Sequence, residues 1–170
     1  MEYGNRILFW FRENLLLEGH VGLCKALQES IEIIPVYCFD PRESKIPHCN
    51  SWDFLHQQSS AVSILRKSLQ KRGSNLLVVH DQFEKIIPSL ARVLIVNKVV
   101  TNELVKNPPA GEMELAEFRN QKALEVQKLL NMHSIPLFFE GPCVPGAELP
   151  SVFPGFPEIN PGTIPWEQRY

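Results

Sequence analysis

Four residues are candidates for binding a polar ligand: Arg12, Asp40, Asn102 and Glu103. Each stands within two residues of the end of an apolar run that predicts a buried strand. A guanidinium and an amide can donate hydrogen bonds, and the carboxylates can accept them. For the turn that starts at Arg12, the alternative is that its polar groups only pair with one another and with water, and residue type alone favours that alternative.

The sequence carries no motif of a catalytic or metal site. No glycine-rich phosphate loop follows the first apolar run, and no G-x-S-x-G sequence is present. The five histidines are scattered, without the spacing of a catalytic triad. His48 and Cys49 are adjacent, but no second pair of ligands lies near them, so a zinc site is not expected. We therefore predict no catalytic residue and no metal ligand.

The apolar runs predict a sheet of parallel strands covered by helices. Arg6–Phe11 is too short for a helix and is apolar after its first residue, as in a strand buried on both faces. Further strands are predicted at Ile31–Phe39, Leu76–Val79, Val99–Thr101 and Ile135–Phe139. Helical periodicity lies between them, over residues 20–29, 52–72, 83–91 and 112–131. This alternation is typical of a doubly wound, Rossmann-like α/β fold with five parallel strands.

The predicted strand order, 3-2-1-4-5, decides which candidate residues can meet. Ligands of open α/β sheets bind at the carboxyl ends of the strands, where the strand order reverses. That reversal falls between the strand that ends at Phe11 and the strand that ends at Thr101. Arg12 and Glu103 should therefore flank one crevice, with Asp40 one strand away.

Composition excludes several classes of partner for this chain alone. The 170 residues fit one domain, 44% are hydrophobic, and the net charge is −2. Strong nucleic acid binding is not expected, because there is no basic excess to neutralise phosphates. The pairs Arg66-Lys67 and Lys71-Arg72 share one predicted helix and are interpreted as a solvated face rather than a phosphate track. No apolar stretch approaches the length of a membrane span, about 20 residues.

The four cysteines show no C-x-x-C spacing, which favours a reducing, intracellular compartment such as the cytoplasm or nucleus. The first predicted strand begins almost at Met1, so no signal or transit peptide is expected. From Gly141 onward, seven prolines fall within thirty residues. We interpret residues 141–170 as an irregular, extended tail that follows an α/β domain over residues 1–140.

Two stretches resemble the photolyase/cryptochrome family. Trp10–Leu15 is similar to the family's opening W-F-R-x-D-L, although Asn14 stands where the family has Asp. Leu16 and Gly19-His20 also depart from the family text, which has a second Arg and then Asp-Asn. Pro35–Arg42 matches the usual text of the DASH cryptochromes over eight consecutive residues. The resemblance extends to about Phe156 and covers only the family's amino-terminal α/β domain.

This resemblance implies an antenna chromophore at the strand carboxyl ends, either a folate such as methenyltetrahydrofolate or a deazaflavin. Glu103 matches the family's antenna contact after the fourth strand, and its alternative is a surface carboxylate. Arg12 and Asp40 match the family text and are interpreted first as residues that hold the turn geometry. FAD and damaged or single-stranded DNA would be partners of a full-length form, through a helical domain that this chain lacks.

Three functional interpretations remain open. The chain is the α/β domain of a blue-light or DNA-repair flavoprotein whose remainder is missing, a free-standing nucleotide- or chromophore-binding module, or a protein-interaction module. The lost polar residues of the first turn favour the second and third, and the Pro35–Arg42 match favours the first. In each case the chain alone is expected neither to catalyse DNA repair nor to retain FAD.

Overall fold

Five parallel strands form one sheet in the order β3-β2-β1-β4-β5. The computed structural model describes residues 5–13, 15, 17, 21–29, 32–141 and 152–153. The strands are β1 (Arg6–Phe11), β2 (Glu32–Phe39), β3 (Leu77–His80), β4 (Lys98–Asn102) and β5 (Leu137–Glu140). The helices are α1 (Val21–Glu29), α2 (Trp52–Lys71), α3 (Phe83–Val93) and α4 (Met113–Met132). The predicted fold class and strand order are confirmed.

The central strand β1 is apolar because both of its faces are covered. Leu8 and Trp10 pack in one core cluster, with residues of α3 and α4. Phe9 and Phe11 pack in the other cluster, with residues of α1 and α2. All four side chains are at most 1% exposed. A strand between two helical layers has no solvated face, which explains the unbroken apolar run.

Proline residues mark where strand pairing begins. Pro35 lies opposite Phe9 of β1, but the pairing of β2 with β3 starts only at Val36 opposite Leu77. Pro35 therefore costs the ladder no hydrogen bond to β3. Pro136 limits β5, which starts at Leu137 rather than at the predicted Ile135 and lies at the sheet edge.

The segment after β2 forms a short helix, where the sequence predicts no regular element. A 3-10 helix spans Pro41–Lys45, with Asp40 as its N-cap and Pro41 at its first position. Proline suits a first helical position because the N–H that it lacks would have no partner there. Glu43 is only 6% exposed, so this segment carries a charged side chain into the fold.

Helix α2 begins and ends at the residues that the sequence indicates. The Ser51 hydroxyl accepts a hydrogen bond from the Phe54 N–H at 3.2 Å, so Ser51 is the N-cap of α2. Gly73 follows the helix with φ of +80°, a conformation that glycine adopts at little cost.

Most of the predicted tail lies outside the described residues, so its irregular course stays a prediction. Phe153 is described and is 4% exposed within the core cluster that holds Leu69 and Leu76. Its backbone N–H donates to the Arg72 carbonyl oxygen at 2.8 Å. Among the described helices, none is long and apolar enough to cross a bilayer.

Candidate functional site

The carboxyl ends of β1 and β4 are joined by a reciprocal pair of hydrogen bonds. The backbone N–H of Arg12 donates to Oδ1 of Asn102 at 2.9 Å. In return, Nη2 of Arg12 donates to the Asn102 carbonyl oxygen at 2.5 Å. We call these two residues the Arg12–Asn102 clasp. It lies where the strand order reverses, between β1 and β4. The structure thus joins Arg12 to Asn102, whereas the sequence pairs Arg12 with Glu103.

The Arg12 guanidinium is buried against β4 rather than extended into solvent. Its Nε donates to Oγ1 of Thr101 at 3.0 Å, and Nη2 also reaches the Glu103 carbonyl oxygen at 3.2 Å. The rings of Trp10 and Phe139 lie 5.6 and 5.9 Å from its central carbon. Burial lowers the pKa of Arg12 to about 10, partly offset by the Glu13 carboxylate. A cation here is retained because backbone carbonyls and aromatic faces surround it.

One edge of this guanidinium is not hydrogen-bonded. Nη1 of Arg12 and Oε1 of Glu13 are both buried and have no hydrogen-bond partner among the described residues, and 3.7 Å separates them. Nε1 of Trp10 is a third buried polar atom without one. Buried polar groups are almost always hydrogen-bonded, so these atoms mark a place where the site is incompletely satisfied.

Glu103 is the exposed member of the site. Its backbone N–H donates to the Glu140 carbonyl oxygen at 2.9 Å, which extends the pairing of β4 with β5 by one residue. Within the part of the chain that is described, its carboxylate accepts no hydrogen bond and forms no ion pair. Oε2 lies 3.7 Å from the Cβ position of a side chain placed at Gly141. The carboxylate therefore stands on a fixed backbone with both oxygens open to a donor.

Asp40 stands one strand away, as predicted, and its carboxylate is occupied. Oδ2 accepts from Nη2 of Arg42 at 2.6 Å and from the Phe83 N–H at 3.1 Å. Oδ1 accepts from the Arg42 N–H at 2.9 Å. Arg42 also donates through both terminal nitrogens to Glu84. Asp40 thus joins β2, the 3-10 helix and α3.

Sequence reasoning missed a second buried arginine near this edge. Arg119 of α4 pairs with the buried carboxylate of Glu43 through Nε and Nη2, and Nη1 reaches Glu13 at 2.9 Å. Arg119 lies 76 residues from Glu43 and 106 residues from Glu13 along the chain, so no local sequence pattern indicates these contacts. The Asp40-Pro41 pair could have indicated the helical turn that carries Glu43, because a capping residue followed by proline is a helix-start signal.

A cavity of about 320 Å³ opens between the loops that follow β2 and β4. His48, Cys49 and Phe54 line it from one side, and Gly111 and Leu115 from the other. Among the residues that the structure describes, no group of three metal-ligating side chains occurs. Because no described residue donates a hydrogen bond to the Glu103 carboxylate, this edge can accept hydrogen bonds from an organic ligand.

Comparisons with known proteins agree with the observed fold. The profile of the DNA photolyase family matches residues 7–137. Cryptochrome DASH of Synechocystis sp. is 39% identical over 93 residues, which cover 51% of this chain and 18% of that protein. The blue-light photoreceptor PHR2 of Arabidopsis thaliana is 34% identical over 114 residues, which cover 63% of this chain and 26% of that protein.

Similarity in structure points to the same domain. The crystal structure of a Synechocystis sp. cryptochrome superposes with a TM-score of 0.62 at 26% identity, covering 83% of this chain and 28% of that one. The chain thus spans between about a fifth and a quarter of the curated relatives that it matches. It belongs to the DNA photolyase family, in which it corresponds to the amino-terminal α/β domain of DASH-like cryptochromes and photolyases.

Proposed function

We propose that this chain serves as the antenna-binding α/β domain of a DASH-type blue-light flavoprotein. The observation that carries the proposal is the exposed Glu103 carboxylate at the reversal of strand order, with no hydrogen bond from any described residue. The ligand proposed is a folate-type chromophore, methenyltetrahydrofolate.

The hydrogen-bonding groups of the pterin ring and of the Glu103 carboxylate favour Glu103 as the principal contact. A pterin ring presents amino and ring N–H donors, and a carboxylate presents two acceptors at matching spacing. Hydrogen bonds to an ionised acceptor are about twice as strong as those between neutral groups.

The other candidates support Glu103 in different ways. Arg12 and Asn102 act through the β4 backbone, because their mutual bonds fix the residue that carries the carboxylate. The buried Nη1 of Arg12 is the remaining donor that a ligand or water could use. Asp40 already accepts bonds from Arg42 and Phe83, so its contribution to a ligand is indirect.

FAD and DNA belong to the proposal only for a longer form of the protein. The relatives extend several-fold beyond the region that this chain matches. With a net charge of −2 this chain has little electrostatic attraction to phosphates. We propose that it alone is not catalytic, and that it works in a reducing compartment, since the described Cys38 and Cys49 are free thiols.

A fluorescence titration with 5,10-methenyltetrahydrofolate tests the antenna proposal. We expect weak binding by the parent chain and a loss of about tenfold or more in Glu103→Gln, which keeps the size but removes the charge. Glu117→Gln, an exposed carboxylate on α4, is the matched control and should bind like the parent. If Glu103→Gln also binds like the parent, the antenna assignment must be abandoned.

The second candidate is a non-catalytic nucleotide-binding or protein-interaction module derived from the same domain. Asn14, Leu16 and Gly19 replace polar residues of the family text in the first turn, which favours this alternative. It predicts that the purified chain shows no near-ultraviolet chromophore and takes up no folate in the same titration. A folate signal that depends on Glu103 would exclude it.

A further inference from the structure

A groove of about 370 Å³ lies between α2 and the strands β2 and β3, away from the Glu103 edge. Its apolar floor is formed by Phe39, Val62 and Val78. The floor is fixed in place, because the Phe39 ring stacks on His80 at 4.8 Å and packs edge-on against Tyr37. The volume lies within the range of small-molecule sites, roughly 300–1,000 Å³.

The rim of the groove is cationic. It is lined by Ser63, Arg66 and Lys67 of α2, and no carboxylate among the described residues lines it. The only acidic residue of α2 is Asp53, fourteen residues before Lys67, or about 21 Å along the helix. That separation exceeds the Debye length at physiological salt, about 8 Å, so Asp53 does not neutralise the rim.

The two cations differ in how firmly they are held. Nε of Arg66 donates to Oδ1 of Asn75 at 3.2 Å, which fixes the guanidinium at the groove. Lys67 is exposed, and no described residue accepts a hydrogen bond from its ammonium group. Burial lowers the pKa of His80, so the imidazole below the floor adds no charge at pH 7. The attraction for an anion therefore rests on Arg66 and Lys67.

We propose that this groove binds a small organic anion with a flat apolar body and one phosphate or carboxylate. The body would lie on Phe39 and Val78, and the anionic group would meet Arg66 and Lys67. Such a mixture of an apolar floor and few convergent charges is what orients small ligands in proteins. The site is independent of the antenna proposal, because β2 and β3 lie on the opposite side of β1 from β4.

Titration of the 15N-labelled chain with 1-naphthyl phosphate tests the proposal. We expect amide shifts at Ser63 and Val78, with tighter binding than that of 1-naphthol or of inorganic phosphate. 1-Naphthoate distinguishes a carboxylate from a phosphate preference. Equal binding of naphthyl phosphate and naphthol would show that the cations play no part and would overturn the proposal.

Two variants locate the binding. Lys67→Gln should weaken binding of 1-naphthyl phosphate about three- to fivefold, the range of an exposed charge pair. Lys71→Gln, a lysine of the same helix that does not line the groove, should bind within about twofold of the parent. Ser63→Phe fills the groove from an exposed helix position and should abolish binding. Shifts confined to the Glu103 edge, or unaltered binding by Ser63→Phe, would refute the assignment.

Discussion

Arg12 and Arg119 are both buried arginines at the carboxyl edge of the sheet, yet replacing them should have different costs. The side chain of Arg12 is 2% exposed and that of Arg119 is 11% exposed. Arg12 bonds mainly to backbone carbonyls and a hydroxyl, whereas Arg119 pairs with carboxylates. We predict that Arg12→Met destabilises the chain much less than Arg119→Met.

The cost of Arg12→Met is a difference of two opposing contributions. Two buried hydrogen bonds from a charged donor, to Thr101 and Asn102, stabilise the fold by about 1.5–3 kcal/mol each. The burial that lowers the pKa of Arg12 from 12.5 to about 10 corresponds to a penalty of about 3 kcal/mol on the charged form. The variant loses these hydrogen bonds but is also relieved of the burial penalty, so the expected net loss of stability is about 1–2 kcal/mol.

Arg119→Met leaves a carboxylate buried without its partner. The Glu43 side chain is 7% exposed and pairs with Arg119 through two nitrogens. Removal of one member of a buried ion pair typically costs about 3–5 kcal/mol. Replacing both members, in Arg119→Met with Glu43→Gln, removes the unpaired charge and should recover about 1–3 kcal/mol.

Urea unfolding followed by far-ultraviolet circular dichroism measures these differences as shifts in midpoint at constant slope. The expected order of stability is parent, Arg12→Met, the double variant, and Arg119→Met. If Arg12→Met is as unstable as Arg119→Met, the burial penalty on Arg12 is wrong. If the double variant is no more stable than Arg119→Met alone, the unpaired Glu43 is not the cause of the loss.

Two further predictions follow from individual residues. Burial raises the pKa of Tyr37 to about 12, so its phenol should ionise at higher pH than that of an exposed tyrosine. The measurement is a spectrophotometric titration of the parent chain, from which the titration curve of Tyr37→Phe is subtracted. The pKa of Tyr37 in the folded chain lies above the ordinary value of 10.0, so burial of the neutral phenol stabilises the fold fully below pH 10. This stabilisation is lost as the pH rises towards 12. A difference titration centred near pH 10 would contradict the prediction. Gly73→Ala forces a residue with Cβ into φ of +80° and should cost about 1 kcal/mol in urea unfolding, with no clash since nothing lies within 4 Å. An unchanged midpoint for Gly73→Ala would mean that the turn relaxes.

The fold was predictable because its signals are local and repeated. The apolar run Arg6–Phe11 identifies a doubly covered strand, and Ser51 and Gly73 mark the limits of α2. The observed ends of some strands differ from the predicted ends by one or two residues, because pairing with the neighbouring strand decides where a strand begins and ends. The order of strands and helices along the chain, together with the right-handed connection between parallel strands, then leaves few possible topologies.

The site was predictable only in part, because its contacts are long-range. The sequence places Arg12 and Glu103 at one edge, but it does not indicate that the guanidinium lies under the β4 backbone while the carboxylate is exposed. The Arg119–Glu43 pair joins segments 76 residues apart and depends on a 3-10 helix that hydrophobic periodicity does not detect. The role of each candidate in ligand binding stays a prediction.

The Arg12–Asn102 clasp also orders events during synthesis of the chain. Its two residues are 90 positions apart, whereas β1 meets β2 across only 26. At 5–20 residues per second, a ribosome needs roughly 5–18 s between them, longer than many small folding units take to form. The half-sheet of β1, β2 and β3 can therefore assemble while Arg12 is still hydrated. The ligand-facing edge is completed only when β4 is added, so the candidate site cannot form before the sheet that supports it.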